Sequence, residues 1–218
     1  MKLKISLALL ALPFATPCFA ADDTTPLRTV NGTTITSTKD PAIRVQLPST
    51  AVYVGAVRWP LYKVADAEIH AYVEADPSGM VQRFYWVQFE QLLPSSKGKY
   101  DLGAAATTGT LSSFPVQIVT DIDPGPNKAT PGSDSHAFRA MLANKGYRLP
   151  TWVMDVGFFH FPTVDRRQEV MIIYGEGFDD TAAEMVALRG KGKQVFTWAE
   201  LSDPVIKRAN ERIRLSSL

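Results

Sequence analysis

Residues 68–93 read EIHAYVEADPSGMVQRFYWVQFEQLL, and this stretch decides the fold. From Glu68 to Glu74, Ile69, Ala71 and Val73 fall on one side of the chain while His70 and Tyr72 fall on the other. A period of two marks a strand, because successive side chains point to opposite faces of a sheet. Asp76-Pro77-Ser78-Gly79 supplies a turn, with proline at its second position and glycine at its last. The return segment, Met80 to Leu93, is aromatic on both faces: Phe84 and Trp86 on one, Tyr85, Val87 and Phe89 on the other. A strand apolar on both sides is central in its sheet and covered from both directions.

Working outward from this hairpin, further strand signals appear on either side. Upstream, Val52 to Trp59 is closed by Pro60, and Ile43, Val45 and Leu47 alternate between Pro41 and Pro48. Before them, Asn31-Gly32 sits between β-formers, a hairpin signal because both residues tolerate positive φ. Downstream, residues 94–103 read as loop and Phe114 to Ile122 as strand. Asp121 to Asp134, with Pro124, Gly125, Pro126, Pro131 and Gly132, reads as a long surface loop. A helix follows, capped by Ser133 or Asp134, striped by Phe138, Met141 and Leu142, and stopped by Gly146 and Pro150. Trp152 to Phe161 and Glu169 to Tyr174 form a second hairpin. Thr181 to Leu188 reads as a short helix with Thr181 as cap. At the C-terminus, Thr197 and Glu200 fit a capping box, and Asp203-Pro204 fits a second helix start. Beyond them Val205, Ile206, Ala209 and Ile213 line one helical face.

Hairpins with helices between or after them predict an α+β fold: an antiparallel, hairpin-built sheet with two or three helices packed on it. The expected organisation is a leader over residues 1–20, a polar segment with a small hairpin over 21–40, and a single α+β domain over 41–218. No glycine-rich turn links an early strand to a helix, which counts against nucleotide-binding topology.

The first twenty residues have the layout of a secretory signal peptide. Lys2 and Lys4 precede an apolar run from Ile5 to Ala15, and Cys18 and Ala20 are small residues at −3 and −1 of a cut after Ala20. Cys18 as a lipid-attachment site is disfavoured by Ala15 and Pro17 around it. The expected product is periplasmic or secreted, with no transmembrane segment after cleavage. Cys18 is the one cysteine of the chain, so the cleaved product has no disulfide and no thiolate chemistry. It carries 21 basic and 22 acidic residues. That balance argues against a nucleic-acid partner, which needs a clustered positive field.

Few residues carry chemistry. His70, His136 and His160 lack metal-ligand spacing, so neither a metal nor a cofactor is expected. Asp155 interrupts an apolar strand and shares a face with Val153, Gly157, Phe159 and Phe161. A carboxylate there can act as acid or base, or simply pair with Arg83 or Arg148. Asp121, Asp123, Gly125 and Asn127 partly match a calcium loop, but Gly125 stands where a third ligand belongs and no glutamate closes the loop. Between Arg189 and Arg214 basic residues outnumber acidic ones, which suits a helix dipole or an anionic surface. The aromatic strands are the feature with functional pull: core first, or the lining of an apolar pocket. The leading expectation is an exported, non-enzymatic domain that binds a small apolar or aromatic ligand or an envelope protein, lined by Arg83, Tyr85, Trp86 and His160. The rivals are a periplasmic hydrolase with an acid or base at Asp155 or His160, and a purely structural envelope protein.

Overall fold

A computed structural model describes residues 24–125, 129–178, 181 and 197–218. The leader, Asn127 of the calcium-like loop, nearly all of the helix expected from Thr181 to Leu188, and the basic residues Arg189, Lys191 and Lys193 lie outside the described residues.

The described chain is β-rich, with two antiparallel sheets and two helices. β1 (Thr29–Asn31), β2 (Thr34–Ser37) and β3 (Ile43–Gln46) form a small sheet. β4 (Val52–Leu61), β5 (Ala65–Ala75), β6 (Val81–Leu92), β7 (Thr107–Leu111) and β8 (Phe114–Pro124) follow. Then come α1 (Asp134–Asn144), β9 (Trp152–His160), β10 (Gln168–Gly177), α2 (Trp198–Arg212) and β11 (Arg214–Ser217). The large sheet runs β4-β5-β6-β10-β9-β8-β7, and the small one β1-β2-β3-β11. As the aromatic pattern requires, β6 is interior, flanked by β5 and β10.

Local signals account for most boundaries. Ser133 caps α1 by accepting from the His136 amide at 3.1 Å. Gly146, with φ +79°, closes the helix: its amide reaches Ala143 O and the Tyr147 amide reaches Leu142 O, both at 3.0 Å, the paired bonds of a Schellman motif. The Thr197–Glu200 capping box opens α2. The helix then runs through Pro204, so Asp203-Pro204 lies inside a helix already begun.

Four differences from the sequence reading have physical causes. The first hairpin turns at Gly32-Thr33, with Asn31 paired to Thr34, and only Gly32 takes positive φ. β8 extends through Asp121 to Pro124 because β9 offers it partners up to Trp152. β7, Thr-Thr-Gly-Thr-Leu, has no apolar alternation and is ordered by pairing with β8. β11 has one buried side chain, Leu215, and pairs with β3, so both ends of the described chain meet in the small sheet.

Each face of the large sheet is covered differently. On one face, α1 lays Phe138 and Leu142 over Ile69, Val73, Phe84 and Trp86. On the other, α2 and the small sheet pack Val205, Ala209, Ile213, Ile35 and Val45 against Tyr85, Val87, Ile172 and Tyr174.

Candidate functional site

The four residues expected to line a ligand go to three places. Arg83 and Tyr85 lie on the α2 face. Tyr85 is fully buried; its hydroxyl donates to Glu74 at 2.9 Å and accepts from Arg212 at 3.1 Å. Arg83 reaches the same carboxylate at 3.2 Å. These contacts clamp α2 to the sheet. Trp86 lies on the α1 face, stacked on Phe138 with ring centroids 4.7 Å apart, and its indole N–H donates to Gln88 at 2.7 Å. His160 ends β9, where Nδ1–H donates to Pro115 O at 2.9 Å and the ring meets Phe114 edge-on.

Asp155 lies on the α1 face, directly opposite Asp121 across the β8–β9 ladder. Asp123 shares that face two residues on. Burial, reinforced by Asp123 and Asp121, pushes the Asp155 carboxyl up to about 8, against the pull of Arg139. His160 is five residues along and therefore on the opposite face, so the two cannot act on one substrate atom. Among the described residues no group of three or more His, Cys, Asp or Glu is placed to hold a metal ion.

Two buried polar groups escaped the sequence reading. On the α1 face, Glu90 and Glu169 sit opposite each other across β6 and β10 and are nearly buried, at 9% and 6% exposure. Glu90 accepts from Gln88 and, at 2.9 Å, from the Tyr100 hydroxyl. Burial first, then Glu90 and Asp134, push Glu169 up to about 8. On the α2 face, Glu68 accepts from His70 Nε2 and the Leu27 amide, each at 2.7 Å, and from the Arg28 amide at 3.0 Å and its guanidinium at 3.2 Å. Burial works to raise the Glu68 carboxyl, but these donors outweigh it and hold the group at about 2. Tyr53 completes the chain, its hydroxyl 3.4 Å from His70 Nδ1. Burial and Glu68 raise the phenol, so Tyr53 is a proton donor to His70 rather than an activated nucleophile. The network anchors the segment at Leu27 and Arg28 to β5.

The open site lies at the β7 side of the α1 face. A groove of about 400 Å³ runs along β7–β9 and the β9–β10 turn, walled by Pro115, Phe159, Phe161 and Val164. Gly157 makes room for its floor: a Cβ there would come within 2.6 Å of the Phe159 ring. Arg166 lays its guanidinium over Phe161, 4.7 Å from the ring centroid. Gln117, also in the lining, has a buried Oε1 with no hydrogen-bond partner among the described residues. His160 braces this groove from behind through Pro115, which contributes to its wall. A second hollow of about 410 Å³ beside the last turn of α1 is lined by Arg139 and Arg148, which are committed to the carbonyls of Gly125 and Ser78.

Phe159 and Phe161 were legible as a same-face aromatic pair beside Gly157. Gln117 and Arg166 gave no signal, because only the β8–β9 pairing and the following turn bring them there. The chain matches no known protein family, no curated protein and no solved structure.

Proposed function

We propose that this chain is an exported binding domain whose groove along β7–β9 takes an amphipathic ligand. That ligand would have an apolar body and a head that is anionic or carries a hydrogen-bond donor. The observation that carries the reading is the combination at one groove: an aromatic floor, a guanidinium at the rim, and in the lining Gln117, whose buried oxygen has no partner among the described residues. An apolar body would lie on Phe159 and Phe161. An anion would meet Arg166, and a hydroxyl or amide would satisfy Gln117 once its side chain turns toward the groove, relieving the desolvation cost its buried oxygen bears. A few polar groups set in an apolar lining are the usual make-up of a small-molecule site, and the volume is in the usual range.

The test is native mass spectrometry of protein purified from its own host, followed by the same measurement on Phe159→Ala. Retained mass with an aliphatic or aromatic body, lost in the variant, supports the reading. A bare polypeptide, or cargo retained equally by Phe159→Ala, refutes it.

A second reading, hydrolysis with Asp155 as acid, is favoured by the raised carboxyl beside Asp121 and Asp123. It lacks a positioned nucleophile among the described residues.

A further inference from the structure

Three turns meet at the end of the large sheet where the groove opens. The first is Tyr62-Lys63-Val64, between β4 and β5. Tyr62 and Lys63 have φ +48° and +59°, two consecutive left-handed residues where glycine or asparagine would be at ease. The second is the segment 93–102 after β6. The third is the β9–β10 turn, where Arg166 is again left-handed, at +51°. Backbone held this way persists only where the surrounding structure fixes it.

The turns are bonded into one platform. The Leu93 amide donates to Val64 O at 2.9 Å, and the Ser96 hydroxyl to the same oxygen at 2.5 Å. The Tyr100 amide donates to Arg166 O at 2.9 Å. Arg167 ties the set together, donating to Leu93 O at 2.7 Å and Ser96 O at 3.0 Å.

What this platform shows to solvent is apolar tips and free cations. Tyr62, Val64 and Val164 are 59%, 45% and 104% exposed. Lys63, Lys97 and Lys99 are exposed, and none of their ammonium groups has a hydrogen bond or ion pair among the described residues. The exposed acids of the same turns are folded back: Asp101 onto the Gly103 amide, and Asp165 onto Thr163 and the Arg167 amide. Glu90 and Glu169 are buried behind them. β5 and β9 are three strand spacings apart, so the two apolar tips stand about 15 Å from each other. A broad array of separate tips, rather than one hollow, suits a planar partner whose surface each tip enters independently.

We infer that this end of the sheet is a docking surface for an anionic membrane, with Lys63, Lys97 and Lys99 on the headgroups and Tyr62, Val64 and Val164 in the interface. The charge complementarity selects an anionic surface over a neutral one. Docking stands on the turns alone. The groove reading adds to it that cargo would be exchanged with that same membrane, since Val164 and Arg166 belong to both surfaces.

The experiment is flotation of the full chain with vesicles of phosphatidylcholine and of phosphatidylcholine mixed with phosphatidylglycerol. The expected result is binding to the mixed vesicles that weakens with salt, and an affinity lower by about fivefold per lysine removed in Lys63→Gln/Lys97→Gln/Lys99→Gln. Tyr62→Trp should show an emission blue shift on the mixed vesicles only. Phe159→Ala should float like the unsubstituted chain, which separates failure of docking from failure of the groove. Equal binding to both vesicles, salt-independent binding, or full retention by the triple variant would overturn the inference. So would capture of the chain by polyglutamate with no vesicle binding, which would make the partner an acidic polypeptide.

Discussion

Glu90 and Glu169 stand directly opposite each other across the β6–β10 ladder, on the face covered by α1 and under the first turn that carries Asp134. Two carboxylates so placed cannot both ionise without a counter-charge, and Glu169 has no hydrogen-bond donor among the described residues. The pair keeps a proton that an unfolded chain would release. The same holds for Asp155 opposite Asp121.

This arrangement fixes a sign for the pH dependence of stability. Glu169 and Asp155 titrate near 8 when folded and near 4 when unfolded. A carboxyl raised by folding favours the folded state below its unfolded value, and that contribution is lost as pH climbs from about 4 through about 8. Glu68, held at about 2, works the other way and protects stability until pH falls below about 4. Stability should therefore peak near pH 4, where the Glu68 contribution is gained and the other two begin to be lost, and decline steadily from there toward pH 8. Urea unfolding at several pH values measures it. Glu169→Gln should flatten the alkaline decline, and an unchanged slope in that variant would show the pair to be ionised in the fold.

The Glu68 network predicts a local effect. Removing the carboxylate with Glu68→Ala strands His70 and Arg28 without their partner, a loss of about 3–5 kcal/mol for a buried charged group. Before global unfolding, the segment at Leu27 and Arg28 should detach, because their amides donate to that carboxylate. Hydrogen exchange should show the Leu27 and Arg28 amides losing protection first. Uniform loss across β5 and β6 would mean that the network holds the sheet and not the segment.

Helix starts offer a milder test, and they show what the sequence made legible. Thr197→Ala removes the acceptor for the Glu200 amide and should cost about 1 kcal/mol by denaturant midpoint. The same substitution in Asp203→Ala should cost far less, since α2 is already formed there. Caps and the 68–93 hairpin could be read because each is specified by neighbours in the chain. β7 and β11 could not, because their order comes from β8 and β3. The Glu90–Glu169 pair was hidden for the same reason: only the register of β10 on β6 brings the two together. Of the expected site residues, His160 alone reaches the groove, from behind. Alternation placed Tyr85 and Trp86 on opposite faces correctly, but could not tell a covered face from an open one.

Two glycines on the α1 face separate groove from core. Gly157 lies under the ring of Phe159, and Gly175 under that of Phe84, its direct partner across β10 and β6. Alanine at either site collides with the ring above it. Phe159 is partly exposed, so its ring can swing into the groove. Gly157→Ala should cost little stability, under about 1.5 kcal/mol, yet lower ligand affinity about tenfold by lifting the floor. Phe84 is 6% exposed and packed on Phe138 at 5.1 Å, with nowhere to move. Gly175→Ala should therefore destabilise by about 1–3 kcal/mol and leave affinity unchanged in the fraction that folds. Thermal melts paired with ligand titration read both quantities. If Gly157→Ala left affinity untouched, the ligand would not rest on Phe159, and the groove along β7–β9 would lose its claim to be the binding site.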